Sequence, residues 1–259
     1  MYNELTFLLH YNDLAINLIA AFISAGLATS IPYRLTHKIS MWKWSYCPSC
    51  KQKIHLIYQI PVIGWILLQG RCKKCNQQIP FSYPLTEFIV ITGWLLSTFI
   101  FPFPLSFFVG LLIWASIVIT ITDMKYLLIP NSINLFLSIS GLLFMSLLFG
   151  MNGFLFSIYG LLTGGLFPFV VFFVHKKVSK KDGMGMGDLK LFAAMGTWVG
   201  AYGIIYVMLL SSILGLISWI VLRLFHKVNA NTHLPFGPFI SVAATVIFVL
   251  LNIKTNILP

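Results

Sequence analysis

The chain has 259 residues and a formal net charge of +11, and its composition is 58% apolar but only 9% charged. With a mean hydropathy of +0.90 it is too apolar for a soluble domain and is marked as an integral membrane protein. The basic excess does not call for nucleic acid, because the cations fall between apolar spans, where membrane orientation accounts for them.

Met1 to Asp13 contains no basic run, so a cleaved signal peptide is not expected. The first uncharged span covers residues 14–33, about one bilayer crossing. A polar loop then runs to residue 83 with Arg34, Lys38, Lys43, Lys51, Lys53, Arg71, Lys73 and Lys74, and no acid. Residues 88–122 are uncharged but are split by Phe101-Pro102-Phe103-Pro104, since proline has no N–H and cannot continue a helix. Spans are therefore predicted over 84–101, with Glu87 in its first turns, and over 105–122. A second uncharged run, 126–175, is opened by Pro130-Asn131 and broken by Gly150-Met151-Asn152-Gly153. This predicts spans over 132–149 and 154–175, with Asn131 placed to cap the first.

Only 32 residues separate Lys190 from Arg223, with a turn signal at Gly200-Ala201-Tyr202-Gly203. Two crossings need roughly 40 residues. The sixth span must then begin before Lys190, which draws Asp188 to the membrane surface or just below it. A last span covers 238–253. The expected fold is an all-α polytopic membrane protein of about eight transmembrane helices. Its parts are an N-terminal segment with the first helix (1–33), a cytoplasmic tetracysteine loop (34–83) and a transmembrane core (84–259).

With eight spans, one side receives sixteen of the seventeen Lys and Arg residues, including Lys125, Lys176, Lys177, Lys180, Lys181, Lys190, Arg223 and Lys227; only Lys254 falls on the other. The positive-inside rule makes that side cytoplasmic. Asp123 and Asp188 share it.

All four cysteines lie in the first loop, as Cys47-Pro48-Ser49-Cys50 and Cys72-Lys73-Lys74-Cys75, with 21 residues between the pairs. Such spacing closes tetrahedrally on Zn²⁺ and reads as a structural zinc ribbon. Disulfides do not suit the cytosol, and His55 is a spare ligand for a shell that four thiolates already fill. The loop is too short for much of a core, so metal ligation supplies folding energy. Unligated thiols are the other reading.

The chain has six acids, and in a membrane protein each needs a reason. Asp123 stands in Thr122-Asp123-Met124-Lys125, and Asp188 follows a ladder of alternate glycines, Gly183, Gly185 and Gly187. Two carboxylates in one site do not both ionise easily. One can then take a proton from a shared water while the other polarises a carbonyl, which is peptide hydrolysis without a covalent intermediate. Gly185 and Gly187 leave room for a peptide backbone. Lys125 and Lys190 either bias ionisation or snorkel to headgroups. Glu87 either pairs with a basic residue or lines the site, and Asp182 reads as a solvated loop charge.

Gly185-Met186-Gly187-Asp188-Leu189-Lys190, with Asp123 and Ile129-Pro130-Asn131, resembles the type IV prepilin peptidases, membrane aspartic endopeptidases of the Gly-x-Gly-Asp type. The loop is similar too: Cys47-Pro48-x-Cys50, Ile60-Pro61, Gly70-Arg71-Cys72, Cys75, Tyr83-Pro84 and Glu87 keep the family's order, as does Pro235-Phe236-Gly237-Pro238 near the end. The resemblance implies that Asp123 and Asp188 are the catalytic pair and that residues 84–259 form an aspartic peptidase core. It implies prepilin or pseudopilin substrates, cut on the cytoplasmic side of a bacterial inner or plasma membrane after a short basic leader, in the service of pilus, secretion or DNA-uptake machinery. Many members then methylate the new N-terminus from S-adenosylmethionine. Here Ala25-Gly26-Leu27-Ala28-Thr29-Ser30-Ile31-Pro32-Tyr33-Arg34-Leu35 keeps the family's Gly and Arg-Leu but lacks its Asn, which leaves methylation open. Two other readings are a signal-peptide-peptidase-like protease, which does not share the cysteine loop, and a proton-coupled transporter, which would place its carboxylates at mid-bilayer.

Overall fold

The computed structural model describes residues 2–179, 184–225 and 234–255. Among them the protein is helical, and its only β pairings are the isolated bridges Tyr46–Lys53 and Arg71–Gln78. The helices are α1 (Tyr2–Thr36), α2 (Ile63–Leu67), α3 (Ser82–Ile100), α4 (Leu105–Tyr126), α5 (Asn131–Ser179), α6 (Met186–Leu224) and α7 (Gly237–Thr255). A 3₁₀ turn, Leu56–Gln59, precedes α2. Five of them, α1 and α3 to α6, are long and apolar enough to cross a membrane. The chain divides into two compact units, 1–118 and 119–259, with the boundary inside α4.

In the first unit α1 packs on α3. Buried polar groups are tied across helices where lipid offers them no partner. Asn17 Nδ2 donates to Ser106 Oγ at 3.1 Å, and Ser97 Oγ donates to the Ser106 carbonyl at 3.0 Å. α1 begins well before the expected span at residue 14, and α4 runs past residue 122, so Asp123 lies inside a helix.

In the second unit two of the five long helices double back, which makes seven apolar segments, and the shorter α7 is the eighth. Trp198 Nε1 donates to the Leu137 carbonyl at 2.9 Å, while Ser157 Oγ donates to the adjacent Thr197 carbonyl at 2.8 Å. In one straight helix Leu137 and Ser157 would stand about 30 Å apart. α5 therefore doubles back, and it does so at Gly150, whose φ of 58° and ψ of −135° suit glycine alone. α6 repeats the device at Gly200 (φ 73°, ψ −179°). Phe192 and Gly215 both reach Phe236 from opposite sides of that break, with ring centroids 6.2 Å apart for Phe192. Both breaks fall where the glycine-rich turns are predicted.

Close approach and aromatic stacking hold this bundle. Gly160 and Gly196 lie backbone against backbone, with no room for a Cβ at either. Trp198, Phe144 and Phe248 are fully buried against one another, with centroids 5.7 to 6.0 Å apart.

Candidate functional site

The two aspartates enter one end of the second unit from different elements. Asp123 is buried in the last turn of α4. Its Oδ2 accepts the Gly237 N–H at 2.7 Å, and the Phe236 N–H also faces the carboxylate. Gly237 opens α7, so Asp123 takes up an N–H that the helix itself leaves unbonded. A methyl group on Gly237 would lie 2.9 Å from Asp123 Oδ2, which leaves glycine as the residue that fits.

Asp188 is half-buried in the first turn of α6, with its carboxylate turned back to the Gly185 N–H, the helix N-cap. This is the reach of a capping-box residue from the third helical position. The segment from residue 186 to the break at Gly200 spans only about 21 Å. A hydrocarbon core of about 30 Å is longer, so this half of α6 is too short to cross one by itself.

Asp188 lies within electrostatic range of Asp123. Ile129 is packed between their supports: a methyl group at Gly187 would sit 3.2 Å from Ile129 Cβ, and one at Gly237 would sit 3.2 Å from its Cδ1. The structure thus gathers Asp123, Asp188, Gly185, Gly187 and Lys190 at one end of the bundle. Lys190 Nζ donates to Asn131 Oδ1 at 2.9 Å, so Asn131 ties α5 to α6 rather than only opening α5. Lys125 is exposed at the end of α4. Lys180, Lys181, Asp182, Gly183 and Lys227 lie outside the described residues.

Glu87 works within the first unit. Its Oε2 accepts the Val62 N–H at 2.7 Å and its Oε1 accepts Thr29 Oγ1 at 3.4 Å. It thereby fastens the loop to α1 and α3, at a residue, Val62, held at φ 62°. Arg34 fastens the other end, donating to the carbonyls of Ser40 (3.3 Å) and Met41 (2.6 Å).

The cysteine pairs form two copies of one turn. Cys47 N–H bonds the Gln52 carbonyl and Lys51 N–H the Cys47 carbonyl; Cys72 with Gln77, and Asn76 with Cys72, repeat this at the same 2.9 Å. Lys51 and Asn76, each directly after the second cysteine, share φ 58°. The four Sγ atoms lie within 4.8 Å of one another, with Cys47–Cys75 at 3.8 Å and Cys50–Cys72 at 3.9 Å. A tetrahedral zinc with Zn–S bonds of ~2.3 Å needs sulfurs about 3.8 Å apart, so the cluster could hold a metal ion. The N–H groups of Cys75 and Lys74 pull the Cys72 thiol down to about 6. Cys75 moves up to about 11: the Gln77 N–H pulls it down, but lost hydration and the crowded sulfurs outweigh that. His55 is not in the cluster. Beside it lies a cleft of about 1540 Å³, bordered by Thr29, Tyr33, Trp44, Tyr46 and Glu87.

The sequence motifs did not reveal that Gly237 holds Asp123, nor that Asn131 holds Lys190. Each motif, Pro235-Phe236-Gly237-Pro238 and Ile129-Pro130-Asn131, is recognisable, but its partner is far along the chain.

These features define a class: a helical membrane protein with two carboxyls at one end of a bundle and a four-thiol clip in a loop. The model of the type IV leader peptidase family matches residues 110–220, and that of the bacterial peptidase A24 N-terminal domain matches residues 18–101. A prepilin leader peptidase/N-methyltransferase of Aeromonas salmonicida (strain A449) is 34% identical over 200 residues, covering 77% of this chain and 68% of the relative. The protein of the same name from Neisseria gonorrhoeae is 32% identical over 213 residues (79% and 70%). A type 4 prepilin-like proteins leader peptide-processing enzyme of Escherichia coli O78:H11 (strain H10407 / ETEC) is 30% identical over 206 residues (76% and 72%). No solved structure matches significantly. The chain belongs to the type IV leader peptidase family and is a membrane protease.

Proposed function

We propose that this chain removes the short basic leader of type IV prepilins or pseudopilins, on the cytoplasmic side of a bacterial inner or plasma membrane, with Asp123 and Asp188 as its catalytic pair. The observation that supports this reading is that two carboxyls 65 positions apart in sequence lie within electrostatic range of each other, with Ile129 packed against the glycine beside each. In the reaction one carboxylate takes a proton from a water lying between the pair, and that oxygen attacks the scissile carbonyl. The other gives its proton to the carbonyl oxygen. Collapse of the tetrahedral species sends a proton to the leaving amine, and both carboxyls return to their starting states. Gly185 lets the Asp188 carboxylate turn back close to the backbone and Gly187 lets Ile129 pack close, while Lys190, through Asn131, steadies the first turn of α6. Lys125 contributes positive charge at the mouth.

We assign residues 34–83 as a zinc ribbon, with Cys47, Cys50, Cys72 and Cys75 as ligands and a structural role for the metal, since four thiolates leave no open position. The peptidase core is assigned to residues 84–259. The relatives' name also carries an N-methyltransferase activity, and the size of the cleft beside the ribbon and its aromatic border suit a nucleoside cofactor. S-adenosylmethionine there would supply the methyl group for the new N-terminal amine, with Tyr33, Trp44 and Tyr46 offering faces to its adenine and Glu87 a carboxylate.

The test is co-expression with a prepilin and mass spectrometry of the product, which reports cleavage position and methylation together. Asp123→Asn and Asp188→Asn are expected to leave the leader in place while the protein stays folded in the membrane. Full processing by either variant would falsify the catalytic assignment.

A further inference from the structure

Between Lys53 and Arg71 the cysteine loop holds no charged residue, although eight cations surround that stretch. Pro61 and Gly64 cut it short, and it forms only the 3₁₀ turn Leu56–Gln59 and the five-residue α2, neither able to cross a bilayer. In α2 the side chains sort by face. Gly64 is buried against the Tyr58 carbonyl, and Trp65 turns inward, donating from Nε1 to the Ile79 carbonyl at 3.0 Å. Ile63, Ile66 and Leu67, at helical spacing, point outward and are 47, 60 and 53% exposed. Leu56, Ile57 and Ile60 of the preceding turn are exposed as well.

The inward side of α2, opposite this face, reaches the start of α3. The inward edge of Trp65 meets the ring of Phe81, with centroids 5.7 Å apart, and Phe81 is exposed directly ahead of α3. From Phe81 the exposed apolar stripe runs on through Leu85, Phe88 and Ile89, the outer side of a membrane-crossing helix. The occupant of that side of α3 is lipid. The loop is tethered by α1 and α3 at the membrane boundary, and cations (Lys53, Arg71, Lys73, Lys74) flank the uncharged stretch on both sides. A short apolar face with basic flanks, held at the headgroup level, is the pattern of an interfacial anchor.

We propose that α2 and the turn before it lie in the headgroup region of the bilayer, with Ile63, Ile66 and Leu67 sunk among acyl chains, so that the tetracysteine ribbon is docked on the membrane rather than projecting from it. A partner protein or a second copy of this chain is the competing occupant; two copies of this loop do not complement each other in charge, since it contains no acid to meet the flanking cations.

The experiment is photocrosslinking of the full-length protein in membrane vesicles. Benzoylphenylalanine replaces Ile66 in one preparation, Gln77 on the second cysteine turn in another, and Phe88 on α3 as the lipid-facing standard. Mass spectrometry then counts lipid adducts. Position 66 is expected to give several-fold more lipid adduct than position 77 and to approach position 88. Adducts at position 66 confined to protein, or no more lipid there than at position 77, overturn the proposal. Zinc content and leader cleavage, measured on the same vesicles, tell a misfolded ribbon from an undocked one and keep this result separate from that of the catalytic pair.

Discussion

The two units of this protein solve the problem of holding a fold together in opposite ways. In the first, the ribbon has scarcely a core: among its cysteines only Cys47 is buried, and its order comes from two matching turns that bring four sulfurs together. In the second, order comes from surfaces in close contact, with Gly160 against Gly196 and Trp198 wedged between Phe144 and Phe248. A region with little buried apolar area can depend on a metal, because ligand bonds do not need it. A region surrounded by lipid gains nothing from burying apolar surface as such, so it depends on tight fit and on satisfied polar groups. The contrast implies that the two units respond independently to damage.

Metal removal should have the largest effect. Structural zinc sites contribute about 10–16 kcal/mol of binding free energy at neutral pH, so Cys47→Ser with Cys72→Ser, or a strong chelator, is expected to open residues 34–83 to protease. The helical circular dichroism of the bundle should hardly change, and its collapse together with the ribbon would break the comparison. Acid should mimic the chelator. Because the Cys72 thiol is held down to about 6 from its ordinary value of 9.0, the stabilisation its thiolate gives is complete only above the ordinary value, shrinks as the pH falls below it, and is gone once the pH drops through about 6. Zinc release followed against pH checks this.

Trp198→Ala is the reciprocal injury. Removing a fully buried Trp from a packed core costs roughly 3–5 kcal/mol, and loses the Nε1 bond to the Leu137 carbonyl. The bundle's thermal midpoint should fall while the zinc content is unchanged.

Gly237→Ala sharpens the question at the site itself. The new methyl group would crowd Asp123 Oδ2 at 2.9 Å, and a displacement worth about 1–3 kcal/mol would lower leader cleavage by roughly 5- to 150-fold. Turnover should drop with little change in unfolding. The smallest effect is expected from Lys190→Met, which removes an exposed bond to Asn131 worth about 1 kcal/mol. It should slow cleavage a few-fold, and Asn131→Ala should do the same without further loss in the double variant.

What was legible in the sequence follows the same division. The cluster of four sulfurs is legible in local spacing, as two Cys-x-x-Cys turns. The reversals in α5 and α6 were legible because only glycine suits the backbone angles at Gly150 and Gly200. The aspartates stood out because acids are so rare in this chain. The clamp on Asp123 was not legible, since its donor lies 114 residues away and is a backbone N–H, which no residue type announces. Glu87 was visible as an unusual charge, yet its partner is another main-chain N–H, that of Val62. α2 is not legible, because five residues are too few for a periodic pattern.

The bond from Gly237 to Asp123 also has a consequence in time. Both aspartates leave the ribosome long before the helix that holds the first of them in place. On the proposed assignment, the nascent polypeptide carries both acids before the N–H that fixes the first of them exists, so the hydrolytic site is assembled only when α7 packs on α6.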